Sequence, residues 1–380
     1  MTRKMGVGII GCGTIADIYC RNAPRFANIE IRACADLRPE IAQVLAGKYG
    51  LRALSVPELF GADEVDIVLN LTIPNAHVEV SGAALEAGKH VYSEKPLATS
   101  LAGARELTAL ARRRGVHLAV APDTILGPGG QLARKLVDEG EVGTITAGTA
   151  FVLSRGMEHW HPSPGFYFQP GGGPVFDMGP YYVTQLVQLL GPVERVAALA
   201  ATGIAERVVT APGPMQGQTI RPEVATTIMG LLDFASGAKV MFGASWDVEA
   251  HGHRPIELYG TRASLRVPDP NFMGGVVELG TRADGWRELP TRERVFGKAN
   301  YPFDAPIHAN DRGLGVAEFA RAIREGRTPR LAGGLGLHVT AVMEGLLAAS
   351  EQGRVITIED RCERPAALSE EEAAELLARA

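Results

Sequence analysis

The chain has 380 residues, 46% of them hydrophobic and 21% charged, with a formal net charge of −5. That balance describes a soluble globular protein and gives no reason to expect a nucleic acid or an anionic membrane surface as partner. No run reaches the roughly 18–20 apolar residues of a membrane span, the start "MTRKMGVGIIGCG" shows no signal-peptide cleavage pattern, and the length exceeds what one core usually fills, so two domains are expected. The four cysteines, Cys12, Cys20, Cys34 and Cys362, form no CxxC or zinc spacing. Neither a metal nor disulfides are expected, and the thiols suit a cytoplasmic location.

"MGVGIIGCGTIADIYC" predicts a strand over Val7–Ile10, a glycine turn and a helix. Gly11, Gly13 and Ala16 form G-x-G-x-x-A. Gly11 allows the sharp turn, Gly13 lets the backbone approach a pyrophosphate, and Ala16 lets helix and strand pack. The phosphates would lie on the helix N-terminus, at Thr14 and Ile15. A glycine-rich turn without a ligand looks the same, so context decides. A second strand, "IEIRACAD", ends at Asp36, about 20 residues on, where a carboxylate can hold the ribose hydroxyls of NAD. Arg38 could stack on adenine or bind a 2′-phosphate. Asp36 would repel that phosphate, so NAD is favoured and NADP left possible.

The strand–helix alternation continues through "VDIVLNLT", "AHVEVSGAALEAG", "KHVYSEKPLA", "SLAGARELTALARRRG" and "VHLAVAP". It predicts a doubly wound parallel sheet over residues 1–124, with ligands beyond the carboxyl ends of its strands. Thr72, Pro74, Asn75, His77, Glu94 and Lys95 fall at such ends and are read as cofactor contacts. A lysine between Glu94 and Pro96 could be a solvated loop charge. At the end of an apolar strand facing the nicotinamide, it could instead stabilise a developing alkoxide or tune a proton relay.

"SRGMEHWHPSPGFYFQPGGG" combines aromatic rings with polar tips, a combination that suits a sugar ring. Arg155, His159, Trp160 and His161 are its candidate substrate contacts. "FDMGPYYVT" follows. A helix from about residue 179 places Asp177, Tyr181, Thr184 and Gln188 on one stripe, and Val183, Leu186, Val187 and Leu190 on a separate apolar face. Asp177 as an N-cap, or Tyr181 as a half-buried aromatic, are alternatives. In the functional reading Tyr181 is the acid/base, its phenol lowered by the Lys95 ammonium, and Asp177 orients substrate or lysine. Later segments such as "EVATTIMGLLDF", "KVMFGASWDV" and "HRPIELYGTRASLRVPD" read as consecutive strands. "APIHANDRGLG" could return His308, Asn310 or Arg312 to the cleft, and the final "ALSEEEAAELLARA" is a short amphipathic helix or a frayed tail.

"GIIGCGTIA", "TIPNAH", "KHVYSEKPLA" and "GGGPVFDMGPYY" together resemble the Gfo/Idh/MocA oxidoreductases, the group of glucose–fructose oxidoreductase and inositol 2-dehydrogenase. The resemblance extends to "NDRGLGVAEFARAIREGRTPR". It implies an N-terminal Rossmann domain and, over 125–380, an α/β domain whose large, mostly antiparallel sheet often builds a homodimer or homotetramer. It also implies hydride transfer between NAD(P) and a hydroxyl carbon of a sugar, inositol or polyol. Lys95 matches the family's catalytic lysine and Asp177 its motif aspartate. Tyr181 stands where many members have the catalytic histidine, and Thr184 where many have a second acid. Rival readings are a dehydrogenase or reductase of a non-sugar substrate, such as a dihydrodiol or imine, and a non-catalytic dinucleotide sensor.

Overall fold

The computed structural model describes residues 3–300 and 309–378; His308 lies outside them. Among these residues, β1 (Met5–Ile10), β2 (Ile29–Ala35), β3 (Arg52–Ala53), β4 (Ile67–Asn70), β5 (His90–Ser93) and β6 (Leu118–Val120) form one sheet. Its order is β3-β2-β1-β4-β5-β6, with every pair parallel. The crossovers are helices α1 (Thr14–Asn22), α2 (Pro39–Tyr49), α3 (Val56–Gly61), α4 (His77–Glu86) and α5 (Leu101–Arg114). Because side chains alternate along a strand, Ile9 and Ile10 feed different apolar clusters. Strands buried on both faces therefore read as continuous apolar runs. The order reverses at β1 and β4, which leaves a crevice beyond their carboxyl ends.

The chain crosses through the one-turn segment Asp123–Leu126 and α6 (Pro128–Asp138) into a second layer. The strands there are β7 (Ile145–Leu153), β8 (Val193–Ala201), β9 (Arg207–Val208), β10 (Thr219–Ile220), β11 (Thr227–Phe234), β12 (Lys239–Ser245), β13 (Ile256–Gly260), β14 (Ser264–Val267), β15 (Val276–Thr281), β16 (Gly285–Pro290) and β17 (Ile356–Thr357). Among the described residues nine of them form one sheet in the order β16-β15-β14-β13-β7-β12-β11-β8-β17. It is antiparallel except where β12 runs parallel to β7. Helix α7 (Gly173–Leu190) packs on β7, β11 and β12, while α9 (Gly333–Gln352) packs on β8, α5 and β6. Helices α8 (Leu314–Glu325) and α10 (Glu370–Leu376) return to the first layer.

One sequence expectation changes and one open alternative is decided. Helix α7 begins at Gly173, one and a half turns before residue 179, so Asp177 is an interior helix residue and not a cap. The early start is possible because Gly172 has no side chain: a Cβ there would lie 2.3 Å from the Tyr167 carbonyl oxygen. Of the two alternatives for the C-terminal segment, the described residues form the short helix α10. Ser369 and Glu372 form a capping box, Glu372 takes Arg330 Nη2 at 2.6 Å, and Leu376 O accepts from Ala27 N at 2.9 Å.

Gly11 has φ +95, and a Cβ there would lie 2.7 Å from the Leu71 carbonyl group. Gly11→Ala should therefore cost about 1–3 kcal/mol from the left-handed backbone alone, more if β1 and β4 cannot part. Urea unfolding midpoints of the two proteins measure this.

Candidate active site

A cleft of about 560 Å³ opens beyond β1 and β4, of the size that takes a cofactor or small molecule. One wall is Gly13, Thr14 and Ile15 from the glycine turn, with Thr72, Ile73, Pro74 and Asn75 after β4. Its floor is Glu94, Lys95 and Pro96 after β5, and its far wall is Tyr167, Gly171, Gly172, Phe176, Asp177 and Tyr181. Lys95 Nζ donates to Asp177 Oδ1 and to the Asp177 carbonyl oxygen, both at 2.8 Å, so one ammonium joins the two layers. Pro180 lies inside α7 and has no N–H to give to the Phe176 carbonyl four residues back. The ammonium also sits 5.1 Å from the centre of the Tyr181 ring.

Burial alone would lower the Lys95 ammonium. The Asp177 carboxylate, with Tyr181 and Glu94 adding to it, outweighs burial and holds the lysine above its ordinary range. For Tyr181 the balance runs the other way from the sequence expectation. Lys95 and Arg312 both pull the phenol down, but burial dominates and leaves it above its usual value, hence neutral. Glu94 is fixed from both sides: its Oε1 accepts from Tyr19 Oη at 2.8 Å and its Oε2 from Lys95 N at 2.9 Å.

The glycine-turn wall fits a dinucleotide. A Cβ on Gly13 would meet nothing within 4 Å, so the backbone faces open space. No side chain caps α1, leaving its first N–H groups for phosphate oxygens. Asp36, half-buried at the end of β2, accepts Cys12 N at 2.8 Å and Arg38 N at 2.9 Å and so braces the turn, while Arg38 itself is exposed. His77 does not face this wall. It is fully buried, with Nδ1 2.7 Å from Pro96 O and Nε2 3.1 Å from Thr72 O. Burial keeps its ring neutral, and it ties the β4 loop to the β5 loop instead of touching a ligand.

The substrate contacts expected before residue 162 do not line the cleft. Arg155 pairs with Glu249 at 2.9 Å, His159 Nδ1 bonds Thr210 Oγ1 at 2.7 Å, and Trp160 and His161 stand outside the lining. Thr184 lies 7 residues past Asp177, beyond the cleft, and lines a separate narrow space with Pro96 and Leu97. Phe166 and Tyr167 take their place, and Arg312 completes the lining. Arg312 is held by its backbone: Asn22 Nδ2 donates to Arg312 O at 3.1 Å, and Gly313 N donates to the buried Asp123 at 2.9 Å. Asn310 instead caps the loop through Asn300.

Residues 5–121 match the model of an oxidoreductase family with an NAD-binding Rossmann fold, and residues 131–266 match the GFO/IDH/MocA C-terminal domain. A 1,5-anhydro-D-fructose reductase of Ensifer adhaerens is 26% identical over 93% of this chain and 98% of its own. An inositol 2-dehydrogenase of Rhizobium meliloti (strain 1021) is 22% identical over 92% and 98%. The solved structure of a levoglucosan dehydrogenase in complex with NADH and L-sorbose superposes with a TM-score of 0.79 at 23% identity, covering 94% of this chain and 99% of that one. The shared fold is thus the six-stranded parallel sheet joined to the large mixed sheet.

The ion pair makes a stability prediction. Asp177→Asn leaves the Lys95 ammonium buried without its countercharge. The loss should be about 2 kcal/mol, below the roughly 3–5 kcal/mol of a fully buried pair, because 18% and 15% of the two side chains remain accessible. Adding Lys95→Met should recover most of it. Since the folded lysine lies above its ordinary 10.5, its contribution is present below that pH and fades only as pH rises through the higher folded value. Melting curves at pH 7 and pH 10.5 test both statements.

Proposed function

We propose, from the premise that this chain belongs to the Gfo/Idh/MocA family of NAD-binding oxidoreductases, that it moves a hydride between nicotinamide and a secondary alcohol or ketone of a sugar, inositol or related polyol. The observation carrying this reading is the Lys95–Asp177–Tyr181 constellation at the floor of a cleft that begins at the glycine turn. A dinucleotide sensor has no use for a buried ammonium beside a buried phenol. Relatives named for sugar and inositol substrates support the substrate class.

In this reading residues 1–124 hold the cofactor and 125–380 supply the substrate wall. Gly11, Gly13, Thr14 and Ile15 cradle the pyrophosphate, and Asp36 takes the ribose hydroxyls and disfavours a 2′-phosphate. Thr72, Pro74, Asn75 and Glu94 line the route to the floor. NAD supplies the hydride acceptor or donor. Toward the alcohol, neutral Tyr181 gives its proton to the carbonyl oxygen, and the phenolate left behind is stabilised by Lys95 and Arg312. Toward the ketone the hydroxyl proton passes to Tyr181 after it ionises. Asp177 holds Lys95 in place throughout.

The open face of the nine-stranded sheet exposes Leu199 at 75%, Met229 at 42%, Leu231 at 44% and Met241 at 53%, in adjacent registers on β8, β11 and β12. A contiguous apolar face of this kind supports association of copies of the chain, as a dimer or tetramer. Four free thiols, and the lack of any helix among the described residues that is long and apolar enough to cross a membrane, are consistent with the cytoplasm.

Tyr181→Phe and Lys95→Ala should keep NAD affinity and lose about 10²- to 10⁴-fold in turnover. Because the folded phenol lies above its ordinary value, wild-type alcohol oxidation should rise with pH past 10, and Tyr181→Phe should flatten that limb. Stopped-flow turnover with a sugar and polyol panel decides; full activity of both variants would reject the mechanism. Light scattering should give a dimer or tetramer at micromolar concentration, and Leu231→Glu with Met241→Glu should shift it to monomer.

A further inference from the structure

Beside the cleft, four rings form a row that runs from its wall to solvent. Phe166 and Tyr167 line the cleft and pack on each other at 4.1 Å between centroids. His161 meets both edge-on, at 5.5 and 5.4 Å, and Trp160 meets His161 edge-on at 5.4 Å. Edge contacts leave ring faces uncovered, and Trp160 is 61% exposed and Phe166 46%. His161 Nδ1 accepts from Ser163 N at 3.1 Å, so in the neutral ring Nε2 carries the proton and can donate.

This row stands on a fixed base. Phe168, Met157 and Trp246 are buried together beneath Tyr167. The buried Arg207 lies 5.3 Å over the Phe168 ring and pairs with Glu158 at 2.6 Å and with Asp247. Glu223 N donates to Phe168 O at 2.8 Å. Large rings held half in water by such a base are surface shaped for a ligand, not a loop that failed to collapse.

We propose that Trp160, His161, Phe166 and Tyr167 form a second carbohydrate subsite, so that the substrate is a glycoside whose reacting ring sits over Lys95 and Tyr181 while a second pyranose stacks on the ring row. The proposal rests on the sugar reading above. Pyranose rings present apolar C–H faces to aromatic rings and hydroxyls to donors such as His161 Nε2–H. The aglycone is uncharged: none of the four ring residues is a lysine or an arginine, so the row itself offers no fixed cation to a phosphate.

The test uses the intact protein with NAD and compares glucose, methyl glucoside, cellobiose and maltose. A disaccharide should exceed glucose by about tenfold in kcat/KM, carried by KM. Trp160→Ala should erase most of that preference with glucose turnover within about twofold, and Trp160→Phe should restore it. No disaccharide preference in the wild type, or a preference that survives Trp160→Ala, overturns the subsite while leaving the sugar reading intact. If no sugar turns over, the sugar reading fails separately. Calorimetry with cellobiose and glucose on the NADH-loaded protein then decides the subsite: equal affinities overturn it, and a cellobiose advantage lost in Trp160→Ala supports it. A change of oligomeric state in Trp160→Ala would assign the row to self-contact and also overturn it.

Discussion

An ammonium taken out of water must keep a carboxylate beside it, and in this molecule the lysine and the carboxylate come from different layers. Lys95 leaves the parallel sheet after β5, and Asp177 projects from α7 above the mixed sheet. The pairing fixes how far α7 reaches over the crevice. It calls for a helix that starts early and a turn at Gly172 that only a residue without a side chain can make, and it places both the carboxylate and the carbonyl of Asp177 on the same ammonium. Breaking such a pair is costlier than never having built it. Its presence at the floor of a cleft therefore points to chemistry more than to stability.

Around that pair the charges are arranged so that cations and acids offset each other while the phenol stays neutral. Lys95 and Arg312 face Asp177, Glu94 and the buried Asp123, and Tyr181 lies among them. Both cations draw the phenol toward ionisation and burial opposes them. In the mechanism proposed above, the two cations that draw on the phenol are the ones that would stabilise its phenolate.

The parallel sheet was legible because its signals are local. Each strand is an apolar run bounded by glycine or proline, and Asp36 follows the turn at the distance a ribose contact requires. Asp177 and Tyr181 were legible because four residues make one helical turn. Elements that depend on distant chain were not. Arg312, named from the sequence only alongside His308 and Asn310, enters the cleft from a loop held by the distant Asn22 and Asp123. His77 sits at a strand end like a ligand contact, yet two carbonyls enclose it. The early start of α7 was hidden because glycines usually end helices. Strands β7 and β15 were missed because their burial does not alternate cleanly, and β16 because five of its six residues are exposed.

The return of the last helices has a consequence for how the protein is made. Strand β6 leaves the ribosome early, but its outer edge is covered only when Val120 N finds Leu331 O and Ala119 pairs with Ala332. The start of the chain is likewise closed by Ala27 N on Leu376 O and by the pairing of Phe26 with Leu377. Until Leu331 and Ala332 have been synthesised, the nascent nucleotide-binding layer carries an open strand edge at β6, the kind of surface that recruits other chains. Translation that stops short of residue 331 would leave this layer unsealed, however complete its own strands, and such a product would be a substrate for chaperones and proteases before it could ever hold NAD.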